Sequence, residues 1–279
     1  MQTRPSLSSL PHDVIVILGR VLANPFLPAA SLGSFSSACH NLRTALAEML
    51  AEHRDARALC AKTGTTAEGL ASTGELWWVR RLVAADCAVL ASIISSGALA
   101  QLKLISLSHN LMGGAGMQVI AEACAGGALP RLTELYLDIN GIGDAGAQAL
   151  ASACGALPQL TKLNLDNNGI GHAGAQALAS AFGALPQLTT LFLNYNQIGD
   201  EGAQALAAAL SSGAFAQLTA LFLNSNQIGD AGAQALAVAI ASGALAQLTA
   251  LYLHNNQIGD AGKQALATAF ASRAQHLYL

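Results

Sequence analysis

Residues 223–237 read LNSNQIGDAGAQALA, and residues 253–267 read LHNNQIGDAGKQALA. The unit that contains this stretch opens on Leu102, Leu132, Leu160, Leu188, Leu218 and Leu248, in steps of 30, 28, 28, 30 and 30 residues. A period of that size constrains the fold more than any other feature of the chain. One unit cannot bury its own apolar face, so neighbouring units must stack and share a continuous core. The expected architecture is an α/β solenoid.

Each letter of the unit has a physical reading. In LTALFLNSN, Leu218, Leu221 and Leu223 place apolar side chains inward from a short strand, because strand side chains alternate between faces. Asn110, Asn140, Asn168, Asn196, Asn226 and Asn256 fall where the strand ends, and their amides are expected to satisfy buried backbone groups as a ladder. Asp230 stands where a helix N-cap belongs. After it, Leu236 and Ile240 face the core while Gln234 and Val238 face out. Asn140-Gly141 and Asn168-Gly169 resemble hairpin turns, but alignment with Asn196-Gln197 makes them ladder positions. Cys124 and Cys154 share a column with Phe182, Leu210, Ile240 and Phe270, which reads as buried packing.

The pattern Leu-x-x-Leu-x-Leu-x-x-Asn-x-Ile-Gly-Asp-x-Gly-x-Gln-x-Leu-Ala resembles the leucine-rich repeat, in its long ribonuclease-inhibitor type, from residue 102 to 279. The resemblance implies a curved horseshoe with a parallel inner sheet and outer helices. The repeat domain is expected over 73–279: a divergent half-repeat at 73–101, six repeats from 102, and an incomplete last strand. LVAADCAVLASIISSGALAQL (82–102) aligns with 228–248 as that half-repeat's helix, and Trp77 and Trp78 are expected to cover the end of the core. HLYL (276–279) matches ALYL of the last full unit. Its edge is then either covered by a partner or continued in a longer chain.

Residues 1–72 form the second expected region, a small all-helical module. Within residues 10–43, Leu10, Pro11, Asp13, Val14, Ile15, Leu18, Leu22, Leu32, Phe35, Cys39, Leu42 and Arg43 resemble the F-box pattern. That resemblance implies docking on a Skp-type adaptor of cullin-type ubiquitin ligases through Leu10, Pro11, Asp13, Val14 and Ile15. The segment NPFLPAASLG is longer than the pattern's middle, and a helical cap with Pro11 at a helix start fits the same residues.

Composition limits the function. Charged residues are 10% of the chain, and residues 101–279 carry 5 Lys/Arg against 9 Asp/Glu. A mildly acidic repeat half argues against nucleic acid, which needs clustered Lys and Arg. Mean hydropathy is +0.43, raised by alanine rather than by a spanning segment, and VIVILG (14–19) is too short for a signal peptide. Five cysteines without CxxC spacing point to a reducing, intracellular compartment: the cytoplasm is expected, with the nucleus or an organelle as alternatives. No phosphate-binding loop, HExxH or Gly-x-Ser-x-Gly occurs, and His109, His172 and His254 occupy three different repeat positions. No catalytic residue, cofactor or metal is therefore expected. Ran GTPase-activating proteins share this repeat type, yet no catalytic motif of theirs matches here. The motif NQIGDAGAQALA also resembles the terminal repeats of NOD-like receptors, without their nucleotide-binding region.

The reading that remains is a non-catalytic protein-binding scaffold, either substrate reader of a ubiquitin ligase or structural subunit of a larger assembly. Between the inward leucines, three columns face the concave side. The first is Ser106, Tyr136, Asn164, Phe192, Phe222, Tyr252 and Tyr278, five of seven aromatic in a chain with 5% aromatics. The second is Ser108, Asp138, Asp166, Asn194, Asn224 and His254; the third is Leu104, Glu134, Lys162, Thr190, Ala220 and Ala250. The candidate partner-binding residues are Tyr136, Asp138, Asp166, Phe192, Asn194, Phe222, Asn224, Tyr252, His254 and Tyr278. The aromatic row also fits plain strand propensity and stacking. The repeat alignment makes one prediction: Leu221→Ala leaves a core cavity and should destabilise the fold by ~2–5 kcal/mol in denaturant unfolding. A negligible shift would refute the alignment.

Overall fold

The computed structural model describes residues 74–79, 82–243, 245–271 and 276–279, together with Asp55 and residues 58–60 and 62–63. The chain divides into two compact units, Met1–Ala51 and Glu52–Leu279. The first, with the F-box-like residues Leu10, Pro11, Asp13, Val14 and Ile15, lies outside the described residues. The second is the solenoid. Its elements alternate: β1 (Glu75–Trp77), α1 (Ala84–Ser95), β2 (Leu104–Ser106), α2 (Gly113–Ala125), β3 (Glu134–Tyr136), α3 (Gly143–Ala153), β4 (Lys162–Asn164), α4 (His172–Ala181), β5 (Thr190–Phe192), α5 (Gly199–Ser211), β6 (Ala220–Phe222), α6 (Asp230–Ala241), β7 (Ala250–Tyr252), α7 (Asp260–Phe270) and β8 (His276–Tyr278). The eight strands form one parallel sheet in sequence order. Strands pack about 4.8 Å apart and helices about 10 Å apart, so a stack of both must curve with the sheet on the inner side.

Two lengths of repeat follow from two ways of ending the helix. In the 30-residue repeats the helix stops at a left-handed glycine, Gly127, Gly213 or Gly243, which costs glycine nothing. In the 28-residue repeats a 3-10 turn, Cys154–Ala156 or Phe182–Ala184, leads straight into Leu-Pro-Gln.

The core is a continuous column of leucine, isoleucine and alanine, with Cys124, Cys154, Phe182, Leu210, Ile240 and Phe270 buried in the expected helix column. Burial pushes the Cys124 and Cys154 thiols up to about 12, so both stay protonated and behave as small apolar groups. Every strand pairs in register, Leu135 opposite Leu163 and Leu163 opposite Leu191. Two hydrogen-bond ladders lock that register. At the far end of the strands, Asn196 Nδ2 donates to the carbonyls of Leu165 and Leu193, and its Oδ1 accepts from the amides of Asn168 and Ile170. At the near end, the hydroxyls of Thr161, Thr189, Thr219 and Thr249 each donate to a carbonyl one repeat back, at 2.9–3.0 Å. The asparagine ladder was anticipated; the threonine ladder was not.

The aspartate does something other than cap its own helix. Asp230 is the first residue of α6, and its Oδ1 accepts from the amides of Gly259 and Gly262 at the start of α7. Asp144 holds Gly171 and Gly174 in the same way, and Asp200 holds Gly229 and Gly232. The carboxylate therefore caps the next repeat's helix. This explains the second glycine of the motif: a Cβ on Gly232 would sit 2.7 Å from Asp200 Oδ1.

The aspartate also sets the first glycine's backbone. Gly171, Gly229 and Gly259, each preceded by a repeat with aspartate, are extended at φ −92°, −99° and −83°. Gly113, Gly143 and Gly199 follow repeats with Ala84, Gly114 and His172 at that position, and all three turn to positive φ. Their amides, with no carboxylate to meet, donate instead to the carbonyls of Asn140, Asn168 and Asn226. Two of those asparagines, Asn140 and Asn226, are the described residues whose buried Oδ1 lacks a partner. Asn168, the third, still accepts from the amides of Asn140 and Ile142.

At the N-terminal end, Leu59, Cys60 and Trp78 are buried in the solenoid core, and Lys62 bonds the Asp86 carboxylate. The compact unit that holds the solenoid begins at Glu52, and the helical residues 58–60 cover its first repeat. Trp78 caps the core as anticipated. Trp77 does not, since neighbouring strand residues point to opposite faces; it is 57% exposed.

Asp230→Ala should lower stability by about 1–2 kcal/mol, since two backbone amides lose a charged acceptor. His172→Asp should raise it by about 1 kcal/mol and turn Gly199 to the extended form. Denaturant midpoints of the two variants and a structure of the second check this. A His172→Asp protein with Gly199 still at positive φ would refute the coupling.

Candidate interaction surface

A three-residue strand gives its central side chain to the core and its outer two to the opposite face. Glu75 and Trp77, then Leu104 and Ser106, and so on to Ala250 and Tyr252 thus share the concave face in register. The first column contains Trp77, Ser106, Tyr136, Asn164, Phe192, Phe222, Tyr252 and Tyr278.

Its last four members form one stack. Ring centroids of Phe192 and Phe222 are 4.5 Å apart, of Phe222 and Tyr252 4.3 Å, and of Tyr252 and Tyr278 4.4 Å, with planes within 16° of parallel. The spacing follows the strand separation, so the sheet sets the stack. Faces are spent on neighbours, and the column shows ring edges to solvent, the positive side of the aromatic quadrupole. Phe192, Phe222 and Tyr252 are half-buried by that contact; Tyr278, at the end of the stack, is exposed.

The second column is largely consumed by the scaffold. Asp138 Oδ1 accepts from Ser108 and Asn164, and Asp166 accepts from the amide and side chain of Asn194. Asn194 Oδ1 accepts from the Asn224 amide, and Asn224 Oδ1 from the His254 amide. His254 Nδ1 lies 2.9 Å from the Leu279 carbonyl. Burial raises the Asp166 carboxyl above its usual range, against the bonds from Asn194 that lower it. Most of the acceptor capacity of these residues braces adjacent repeats.

The third column divides the face. Glu75, Glu134 and Lys162 lie toward the N-terminal end, with Lys162 Nζ 3.0 Å from Glu134 Oε1. Toward the C-terminal end the column is Thr190, Ala220 and Ala250. One half of the face is therefore net acidic, while the strand residues flanking the ring stack from Thr190 to Tyr252 carry no carboxylate, lysine or arginine.

The structure brings Phe192, Phe222, Tyr252, Tyr278 and His254 together at one end and Tyr136, Asp138 and Asp166 at the other. Sequence reasoning missed Trp77 as a surface residue, although the alternation of Leu76 and Trp78 signals it. It also missed the rim beyond the strands. There His109, Ile139, Asn167, Tyr195, Ser225 and Asn255 all sit at φ between 51° and 56°. Polar residues take that conformation cheaply, whereas a β-branched Ile139 pays for it. On the convex face, Gln204, Ala208 and Gln234 are exposed as expected, and Val238 is 70% exposed. Among the described residues no cluster of His, Cys, Asp and Glu could hold a metal ion, and no helix is long and apolar enough to cross a membrane.

The leucine-rich-repeat family model matches residues 129–151, 157–179, 185–207, 217–237 and 246–267. Among solved structures, the chain is similar to an internalin C2 from Listeria monocytogenes, at 23% identity over 80% of this chain and 90% of that one, with a TM-score of 0.49. No curated protein gives a significant match.

The stack makes the rings structural as well as exposed. Phe222→Ala removes two ring contacts and should cost about 1–3 kcal/mol. Trp77→Ala, at an exposed site, should change stability by less than about 0.5 kcal/mol. Equal effects in thermal unfolding would contradict the stacking geometry.

Proposed function

We propose that this leucine-rich-repeat chain is a non-catalytic scaffold that binds a partner protein through its concave sheet. Leucine-rich-repeat proteins generally act as protein-interaction scaffolds. The observation that carries the reading is the four-ring stack from Phe192 to Tyr278, bordered by Thr190, Ala220 and Ala250. Rigid aromatic area beside small side chains gives a partner apolar contact at low entropic cost. The braced second column keeps that surface from reorganising on binding.

In its fuller form, the proposal makes residues 10–43 the dock for a Skp-type adaptor and the repeats the substrate reader of a cullin-type ubiquitin ligase. The F-box-like residues Leu10, Pro11, Asp13, Val14 and Ile15 support that form. The second reading is a structural subunit seated in a larger assembly, favoured by the exposed Val238 on an outer helix face of alanine and glutamine.

Affinity capture from the source organism, read by mass spectrometry, separates these readings. Wild type, a variant with Leu10, Pro11 and Ile15 changed to Ala, and Phe192→Ala/Phe222→Ala should be compared below the last variant's unfolding transition. Adaptor and cullin lost only in the first variant would support the ligase form. Stoichiometric partners that survive both variants would favour the subunit. The scaffold reading requires at least one partner to be lost with the phenylalanines.

A further inference from the structure

The aromatic column has a gap at its N-terminal end. Trp77 on β1 and Tyr136 on β3 are two strands apart, separated by β2 with Ser106 in the column. Two strand spacings come to about 9.6 Å, yet the ring centroids are 6.5 Å apart and the planes 19° from parallel. The rings lean toward one another over the serine, which is buried beneath them. A group one atom thick needs about 7 Å between two faces that both touch it, so the rings must part by about 0.5 Å to admit one.

The walls are held by carboxylates. Trp77 Nε1 donates to Glu75 Oε2 at 3.0 Å, and the Tyr136 hydroxyl donates to Glu134 Oε2 at 2.7 Å. Burial and the Glu134 carboxylate push the Tyr136 phenol up to about 12, so it remains a neutral donor. Glu134 shares its charge with Lys162, while Glu75 has no cationic partner among the described residues. The floor is Ser106, buried, its hydroxyl 3.2 Å from that of Ser108. The result is a slot with two aromatic walls and acidic shoulders.

We propose that this slot binds an arginine side chain of the partner protein. A guanidinium is flat, permanently charged, and carries its donors in its own plane. Its faces would meet Trp77 and Tyr136, where cation–π attraction acts. Its edge would meet Glu75 and Glu134 in charge-assisted bonds. A lysine brings charge without flatness, and a neutral ring leaves the carboxylates unanswered. The slot deepens the concave-face reading and rests on it for the identity of the ligand as protein.

The test titrates the full chain with acetyl-Gly-Arg-Gly-amide and with its lysine and citrulline counterparts, followed on the peptide by saturation-transfer NMR. Citrulline keeps the planar shape and removes the charge. The arginine peptide should bind at least about tenfold more tightly than either. Ser106→Phe, which fills the slot with a ring, and Trp77→Ala, which removes a wall, should each weaken it about tenfold; Lys263→Ala, exposed on α7, should not. If Ser106→Phe fails to fold by circular dichroism, Trp77→Ala at its exposed site decides. Equal binding of the arginine and citrulline peptides, or wild-type affinity in Trp77→Ala, overturns the slot. If the arginine peptide fails while Phe192→Ala/Phe222→Ala loses its protein partner, the slot falls and the concave-face reading stands. The reverse pattern keeps the slot and removes that reading.

Discussion

A strand of three residues has almost no stability alone, and this sheet consists of eight of them. What makes them a sheet is one asparagine amide per repeat. Asn196 spends its NH₂ on carbonyls of its own and the preceding repeat and its oxygen on two amides of the preceding one. A backbone turn buried at that depth would otherwise leave several polar groups dry, each costing on the order of 1–3 kcal/mol. The ladder fixes the turn, the turn fixes the strand register, and the register places every concave side chain. The aspartates extend the same logic to the helix layer, each repeat completing the next one's first turn.

This division of labour explains the small content of charge. Asp144, Asp200 and Asp230 bond glycine amides, Asp138 and Asp166 brace the concave turn, and Glu134 orients Tyr136. Few charges remain to solvate the surface, so the surface is alanine, serine and glutamine outside and rings inside. A scaffold that bonds internally along its whole length presents those rings on a stiff frame. The concave face then has two characters, an aromatic half without charge and an acidic half with a slot.

Much of this was legible from residue order. The alternation of Leu221, Phe222 and Leu223 assigns core and surface without coordinates, because a strand admits only two sides. Asn226 and its equivalents stood out as buried polar residues in need of partners. The aspartate was legible as a helix-start residue, but its partner was not. N-cap rules describe one helix, and here the nearer amides belong to the neighbouring helix at an offset no single unit reveals. Trp77 was misplaced for a related reason: it was read as an end cover, although its parity relative to Leu76 puts it with Tyr136. The threonine ladder went unread because a hydroxyl that bonds one repeat away leaves no periodic signal beyond its own recurrence.

Residue order sets the period, the inward and outward faces, the aromatic column and the asparagine ladder, since all of these follow from side-chain parity within one unit. Whatever depends on the step between units is set by the packing of one repeat on the next. That includes which amides each carboxylate meets and whether each first glycine is extended or left-handed. It includes the stacking of four rings at 4.3–4.5 Å and the wider 6.5 Å spacing of two others. The helix layer is wider than the sheet layer, and the offset that results brings residues some 30 positions apart into bonding distance.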